Sequence, residues 1–599
     1  MTHHFRTAAH VFRDAASRSA TKPALRQGDH QLTYAQLAGA AGRLADWLRA
    51  EGVGRGDVIA TLMDRSHRCM IAVLGAWALG AAYVHIDATE PEPRIASLLQ
   101  TTGARVVLTD QRNQLRLPSQ APPSRVLTDE LSDGPYEIAA NTAPSDVAYL
   151  VGTSGSTGAP KAVAVQHSAV LNYHDAFWRR IAPTTVDSFG VATTFAADLG
   201  KVSVYGALLS GGRLDVYDRD TTLDPAALGA ELRAHPTDGL TYAPSQLEAL
   251  AREGDIAALL PQRVLVLVGE PFPPRLARTI LDARPDLAVY NGYGPAEATI
   301  VATMHRITPA DTESVRVPIS TPLAGVVLRV LDEDRRATPD GTPGVLYLGG
   351  ACVAQGYVGE PGLTAEKFVH LDACGEHPAG RFYRTDDLVV HQLDGTLDYL
   401  GRADRQLKVR GNRVEPADVE TALLALPGVT QAVATGERTE PAGPLELVAY
   451  VVGTADPWEL SRGMRETVPS ALVPTRIVVV PSIPVTTNGK ADFAALRAQA
   501  GVWLTGDADA DRPRTNSERM LAEIWRDVLG RPSIGRNDRF LEIGGDSFKA
   551  LTVFGRLRRR YPRLVIAQLY AHATIAELAA ALDEDRSAAD GRTATTVEL

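Results

Sequence analysis

Between residues 501 and 514 the apolar pattern of this chain stops. The stretch ends Thr505-Gly-Asp-Ala-Asp-Ala-Asp-Arg-Pro-Arg514. It is acidic and carries no periodic apolar face, so it reads as a linker. One continuous fold cannot run across it. Before it, runs rich in apolar and β-branched residues such as Ala104–Thr109, Val264–Val268, Val326–Leu331 and 345–348 alternate with amphipathic segments. That rhythm predicts α/β layers. After it, Thr515 and Glu518 fit a capping box, and Leu521, Ile524, Trp525 and Val528 follow at helical spacing. The apolar pattern ends near Leu582, and 584–599 reads as a disordered tail.

Composition excludes several classes. At 599 residues the length allows about three or four domains. The formal net charge of −10 speaks against a nucleic-acid binder. Cys69, Cys352 and Cys374 stand apart with no C-x-x-C, against a disulfide scaffold or a structural zinc. The first twenty residues lack the apolar core of a signal peptide. The longest apolar run, 70–86, is interrupted by Gly75, Gly80 and His85. It predicts a buried helix turning into a buried strand, not a membrane span. The expected compartment is the cytoplasm.

The sharpest local signal is Thr153-Ser-Gly-Ser-Thr-Gly-Ala-Pro-Lys161, behind an apolar strand at 147–151. Glycines let backbone N–H groups wrap an anion; hydroxyls and Lys161 add donors. It is not a Walker A loop. Six more motifs accompany it in order. They are Leu32-Thr-Tyr-Ala-Gln-Leu37, Leu79-Gly-Ala-Ala-Tyr-Val-His-Ile-Asp87, Asn291-Gly-Tyr-Gly-Pro-Ala-Glu297, Tyr383-Arg-Thr-Asp-Asp-Leu388, Gly401-Arg-Ala-Asp-Arg-Gln-Leu-Lys-Val-Arg-Gly411 and Pro484-Val-Thr-Thr-Asn-Gly-Lys490.

Together these resemble the amino-acid adenylation domains of nonribosomal peptide synthetases, within the adenylate-forming superfamily. The resemblance covers roughly residues 5–497. It implies an α/β fold: a large N-terminal core of layered sheets and helices (1–403), then a small α+β subdomain (404–500). Thr153, Ser154, Gly155, Ser156, Thr157, Gly158 and Lys161 would form the phosphate loop. Asn291, Gly292 and Tyr293 would meet the adenine, Asp387 the ribose hydroxyls with Arg402 nearby, and Glu297 Mg²⁺. Lys490 would be the catalytic lysine bridging substrate carboxylate and phosphate, and Asp404 the hinge. Three departures stand out: Ala162 after Lys161, Asp386 before Asp387, and Val268 before Gly269-Glu270. Asp386 places a second acid where the family has glycine, which could raise the nucleotide KM.

In the family an Asp directly after a Phe pairs with the substrate's amino group. Here the segment is Thr194-Phe-Ala-Ala-Asp198. Counting back from Gly211 puts Asp198 on that position, with two extra residues before it. The displacement would also suit a β-amino acid. Leu199, Val202, Thr241, Val266, Val268, Gly292, Ile300 and Val301 would then line the side-chain pocket. None carries a charge, which implies a small or medium uncharged amino acid.

Phe540-Leu-Glu-Ile-Gly-Gly-Asp-Ser547-Phe-Lys-Ala-Leu551 resembles the attachment site of a peptidyl carrier (thiolation) domain. The resemblance implies an all-α four-helix domain at 515–583, with 4′-phosphopantetheine on Ser547 at a helix start. The whole then reads as a loading didomain that uses ATP and Mg²⁺ to make an aminoacyl-AMP and passes the acyl group to its own carrier. A phosphopantetheinyl transferase, a downstream condensation or tailoring enzyme and an MbtH-like protein are the implied partners. Two alternatives stay open: an acyl-CoA or aryl-CoA ligase, and a non-catalytic carrier protein with a decayed adenylation half.

Overall fold

The computed structural model describes residues 6–583 apart from 129–133, 154–159, 183, 376–377, 410–411, 439–444, 485–490, 498–512, 530–533, 541–544, 546, 559, 562–563, 565–567, 570–571 and 573. The chain divides into two compact units, Met1–Glu415 and Pro416–Leu599.

The apolar run at 70–86 folds as its pattern requires. His67–Ala78 is a helix buried along its length, and Gly80 turns the chain at φ +70. The strand Ala82–Ile86 then enters a sheet with all five residues buried. That sheet is seven-stranded, in the order Gly356–Tyr357, Lys161–Gln166, Val147–Thr153, Ala82–Ile86, Val58–Leu62, Ala104–Thr109, Ser124–Val126. A second sheet is eight-stranded and runs Thr303–Arg306, Ala288–Tyr293, Val264–Val268, Gly239–Tyr242, Ser188–Val191, Arg213–Val216, Pro23–Gln27, His30–Thr33. Its middle is parallel and its strands are buried on both faces, as helix-covered sheets require. A third, antiparallel sheet has five strands, with Gly344–Gly350 and Leu397–Arg402 flanking the long strand Gly380–His391.

The first motif is a folding signal. Thr33 Oγ1 accepts from the Gln36 backbone N–H while Gln36 Oε1 accepts from the Thr33 N–H, a complete capping box on the helix Tyr34–Ala50. Tyr34 is fully buried and its hydroxyl donates to the Gly212 carbonyl at 2.7 Å. Such a motif marks the fold and leaves the chemistry to others.

In the second unit, Val429–Arg438, Leu445–Gly453 and Arg476–Val479 form a three-stranded sheet with helices Pro416–Leu424 and Pro457–Thr467. This is the expected small α+β fold. The helical block follows, with Asn516–Leu529, Ser547–Arg558 and 575–583 helical among the described residues. Trp525 is fully buried, edge-on to Phe540 at 4.8 Å between ring centres. The capping box at Thr515 and Glu518 forms as the spacing predicts, with the Glu518 N–H donating to Thr515 Oγ1 at 3.0 Å.

One boundary differs from the sequence reading. Residues 404–415, expected to open the small subdomain, group with the large unit. The hairpin Leu407–Val409 with Asn412–Val414 sets Lys408 opposite Arg413. Both cations reach carboxylates of the large unit, Asp387 and Glu297, and these ion pairs hold the hairpin there.

Candidate active site

The strand Ala288–Tyr293 carries Asn291, Gly292 and Tyr293 at its end, in parallel register with Val264–Val268. Asn291 is buried and its side-chain amide donates to the Pro318 carbonyl at 2.8 Å. Tyr293 points at the third sheet, where its hydroxyl donates to Asp387 Oδ2 at 2.5 Å. Asp387 sits on the long strand Gly380–His391, only 1% exposed. Its other oxygen accepts from Arg402 Nη1 at 2.8 Å. Arg402 is its register partner on the neighbouring strand, so sheet pairing places this ion pair.

Arg402 has a second role. Its Nε and Nη2 grip Asp404 at 2.6 and 2.7 Å. One planar guanidinium therefore links the ribose-site candidate to the hinge candidate, a geometry that lysine's point charge could not supply. Burial pushes the Asp404 carboxyl up, but the Arg402 hydrogen bonds and charge outweigh it and hold the group below the usual carboxylate range.

Glu297 lies in a single 3₁₀ turn, Ala296–Ala298, and is fully buried. Oε1 accepts from the Tyr357 hydroxyl at 2.6 Å and from Arg413 Nη1 at 2.8 Å. Oε2 is buried with no hydrogen-bond partner. Burial alone would raise this carboxyl; the Arg413 charge and the Tyr357 hydroxyl reverse the direction and lower it. An anionic oxygen without a partner suits a hard cation. Magnesium typically takes one or two carboxylates and completes its shell with phosphate and water. Among the described residues no group of three or more His, Cys, Asp or Glu side chains is placed to hold a metal by itself. Glu297 thus fits a magnesium ion, whose remaining ligands would have to come from elsewhere than protein carboxylates or imidazoles.

Thr153 and Lys161 pair across the antiparallel strands Val147–Thr153 and Lys161–Gln166. Ser154, Gly155, Ser156, Thr157 and Gly158, which follow Thr153 in sequence, lie outside the described residues, as does Lys490. Ala162 is buried opposite Gly152 in this pair of strands.

The extra acid, Asp386, does not stand unpaired beside the ribose site. Lys367 Nζ donates to its Oδ2 at 2.7 Å, and Arg384 Nε lies 2.9 Å from its Oδ1. Its charge is therefore matched twice. The price is conformational: Asp386 takes φ +58, a region where the glycine usual at this position meets no penalty.

Of the proposed pocket residues, Thr241, Val266, Val268 and Gly292 lie on the second sheet, Ile300 and Val301 follow the turn at Glu297, and Leu199 and Val202 lie on the helix Asp198–Leu208. A Cβ added to Gly292 would lie 2.8 Å from Val268, 3.4 Å from Val301 and 3.5 Å from Val266, so glycine keeps the space between three valines open. Thr299 and Ile300 both adopt left-handed φ, +57 and +67. For β-branched residues this is strained, and such strain gathers at functional sites. Thr241 Oγ1 lies 3.3 Å from Ser203 Oγ. Asp198 is the first residue of the helix Asp198–Leu208. Its Oδ1 is buried without a hydrogen-bond partner.

The sequence reading missed four polar residues here: Lys408, Arg413, Tyr357 and Lys201. Lys408 Nζ lies 3.8 Å from Asp387 Oδ2 and about equally far from two rings, 5.0 Å from Tyr293 and 5.1 Å from Tyr399. Lys201 is 2% exposed, with Nζ 3.6 Å from Asp198 Oδ1. The candidate wall residues are uncharged side chains, whereas Asp198 has a buried cation beside it. The available signal was a lone lysine in an otherwise apolar helix, three residues after the acid.

In the second unit, Ser547 opens the helix Ser547–Arg558. Just before it, a Cβ on Gly545 would come 2.3 Å from the Phe540 carbonyl oxygen. That close approach to Phe540 leaves no room for a side chain at 545, and a helix start offers N–H groups that favour a phosphate.

Comparison with known proteins agrees with this layout. The model of the AMP-binding enzyme family matches residues 12–358, that of the AMP-binding enzyme C-terminal domain 418–490, and that of the phosphopantetheine attachment site 519–582. The chain is 33% identical over 594 residues to surfactin synthase subunit 2 of Bacillus subtilis (strain 168), which covers 96% of this chain and 16% of that protein. It is 35% identical over 586 residues to tyrocidine synthase 3 of Brevibacillus parabrevis, covering 96% and 9% respectively. The chain thus spans between about a tenth and a sixth of the length of these curated relatives. Among solved structures it is similar to a holo nonribosomal peptide synthetase protein containing adenylation and PCP domains bound to a vinylsulfonamide inhibitor. That match has a TM-score of 0.81, 26% identity and 96% coverage of both chains. No helix among the described residues is long and apolar enough to cross a membrane.

Proposed function

The chain belongs to the AMP-binding enzymes, as an adenylation domain fused to a carrier domain, and from this we propose that it activates an uncharged, small or medium amino acid and loads it onto its own carrier. A carboxylate oxygen of the amino acid attacks the α-phosphorus of ATP. The bond to pyrophosphate breaks, and an aminoacyl-AMP forms. A thiol sulfur then attacks the acyl carbon, and AMP leaves.

The observation that carries this reading is the buried arrangement around Asp387 and Glu297. Asp387 is held by Tyr293 and Arg402 where two ribose hydroxyls could displace one partner, and Glu297 keeps one oxygen unpartnered. In this reading the Tyr293 ring stacks on adenine while its hydroxyl stays on Asp387. Glu297 Oε2 would hold magnesium, which when bound would neutralise charge on the phosphate oxygens. Ser154 to Gly158 and Lys161 supply donors to the phosphates. Lys490 bridges carboxylate and phosphate, Asp198 accepts the amino group, and Asp404 is the hinge. Ser547 carries the 4′-phosphopantetheine arm, whose thiol is the acyl acceptor. A phosphopantetheinyl transferase installs the arm, a downstream condensation or tailoring enzyme takes the product, and an MbtH-like protein is the third partner the family analogy implies.

Amino-acid-dependent ATP–pyrophosphate exchange tests the reading, with valine, alanine, proline and β-alanine at the head of the panel. Exchange with an amino acid, and a mass increase on the pantetheinylated chain equal to that residue, are expected. Exchange only with fatty or aryl acids would overturn it.

A further inference from the structure

The acid proposed for the substrate's amino group is reached through a loop two residues longer than the family pattern. The structure shows how that loop is held. Upstream, Arg65 Nη1 donates to the Thr193 carbonyl at 2.8 Å, and the Thr194 hydroxyl donates to Asp87 Oδ2 at 2.7 Å. Downstream, Lys201 folds back from the first turn of the helix. Its Nζ donates to the carbonyls of Phe195 at 3.3 Å and Ala197 at 3.2 Å. These carbonyls bracket the extra residues, Ala196 and Ala197. The fold-back also needs Gly200, where a Cβ would lie 2.4 Å from the Thr194 carbonyl oxygen.

Lys201 is no snorkelling surface side chain. It is 2% exposed, and its ammonium sits 4.9 Å from the Tyr149 ring centre. Asp198 Oδ1, 3.6 Å away, is buried with no hydrogen bond within normal distance, so the lysine stands to it as a counter-charge.

We propose that Lys201 is the positioning residue of the amino-acid site: it clamps the lengthened loop and supplies the counter-charge for Asp198, fixing the carboxylate that receives the substrate's amino group. This rests on the function proposed above and deepens it, because it restricts the substrate. Asp198 and Lys201 sum to zero charge. A zwitterionic amino acid adds zero, whereas an acidic or basic side chain would leave a net charge buried among apolar walls, at a steep desolvation cost.

The pH dependence follows from the groups around Asp198. They are Lys201 and Tyr205 on its own helix, Tyr83 and Tyr149 on the neighbouring strands, Tyr173 on the helix His167–Ile181, and Glu297 beyond; His85 faces Lys201. Burial raises the Asp198 carboxyl and Glu297 adds to this; the Lys201 charge is the largest force opposing them. The tyrosines are held neutral by burial, and burial likewise drops His85 to about 3. The net direction is upward, so Asp198 takes up a proton more readily than an ordinary carboxyl, and the Lys201 charge, followed by a Tyr149 hydrogen bond, limits that rise.

The test compares the full pantetheinylated chain with Lys201→Met, Lys201→Gln and Lys201→Arg, by exchange with valine, alanine, proline and β-alanine between pH 5 and 8.5. Losing an opposite charge this close moves a carboxyl by roughly one to three pH units. In Lys201→Met and Lys201→Gln the acid limb of the amino-acid kcat/KM therefore moves up by about one unit or more. The KM for ATP stays within about twofold, and Lys201→Arg restores the limb. Gln keeps a donor for the carbonyls and removes only the charge, so it separates counter-charge from clamp if Met unfolds the helix. An acid limb that stays put in Lys201→Gln, or ATP and amino-acid KM rising together, overturns the proposal. A wild-type chain that exchanges with no amino acid overturns the proposed function itself.

Discussion

Replacing Arg402 with alanine strikes the centre of the proposed nucleotide site. The substitution removes the 2.8 Å contact to Asp387 between side chains 7% and 2% exposed. It also removes the fork on Asp404, whose side chain is 38% exposed. The two losses are unequal. Stranding a buried charge costs about 3–5 kcal/mol, whereas a partly exposed pair contributes about 0.2–1 kcal/mol. Asp387 keeps the Tyr293 hydroxyl and the Lys408 ammonium at 3.8 Å, so the low end applies, about 3 kcal/mol. The assay is native-state hydrogen exchange of the strands Gly380–His391 and Leu397–Arg402, which reports the free energy of opening that sheet. If the cost is a stranded charge, adding Asp387→Asn to Arg402→Ala recovers about 2 kcal/mol of it. Simple additivity of the two substitutions would refute the reasoning. Arg402→Lys should keep the Asp387 contact and the ATP KM, yet change the ratio of adenylation to thioester formation, because lysine cannot hold Asp404 with a fork.

Lys490→Ala should suppress pyrophosphate exchange with the melting profile unchanged; normal exchange would remove Lys490 from the mechanism. Ser547→Ala should leave exchange intact and abolish both the mass gain from a phosphopantetheinyl transferase and acyl loading. Trp525→Ala should unfold the carrier, at a cost of about 3–5 kcal/mol, without lowering exchange; loss of exchange would mean the blocks do not fold independently. Burial pushes the Glu90 carboxyl up to about 7, only partly offset by Arg94. Its folded form therefore holds a proton that the unfolded chain releases near 4.5. Stability from this group is present below pH about 4.5 and is lost as pH rises to about 7, by roughly 3 kcal/mol at most. Glu90→Gln should flatten that slope in urea titrations; an unchanged slope would clear Glu90.

Much of the fold was legible because its signals are local. The strand Val264–Val268 has every residue buried, so its apolar run is continuous and its ends coincide with the expected ones. Thr33 with Gln36 and Thr515 with Glu518 are caps whose partners lie three residues apart, within reach of sequence spacing. The placement of residues 404–415 was not legible. It depends on Lys408 and Arg413 meeting acids far away in sequence, and a run of basic residues looks the same whether it faces solvent or a buried carboxylate. The left-handed Thr299 and Ile300 were equally hidden, since β-branched residues ordinarily argue against such a conformation.

The candidate site divides along the same line. Sequence alone determined the order of motifs, the chemistry each residue type can offer and the break that separates carrier from enzyme, because these need only local pattern and side-chain identity. Tertiary structure alone decided which charges meet. Asp386 looked like a second acid on the ribose and is instead matched by Lys367 and Arg384. Asp198 was read only as a partner for a substrate amino group, and the fold sets Lys201 beside it. The reason is physical: a charge's effect is set by its distance to others and by the solvent removed around it, and a linear sequence encodes neither.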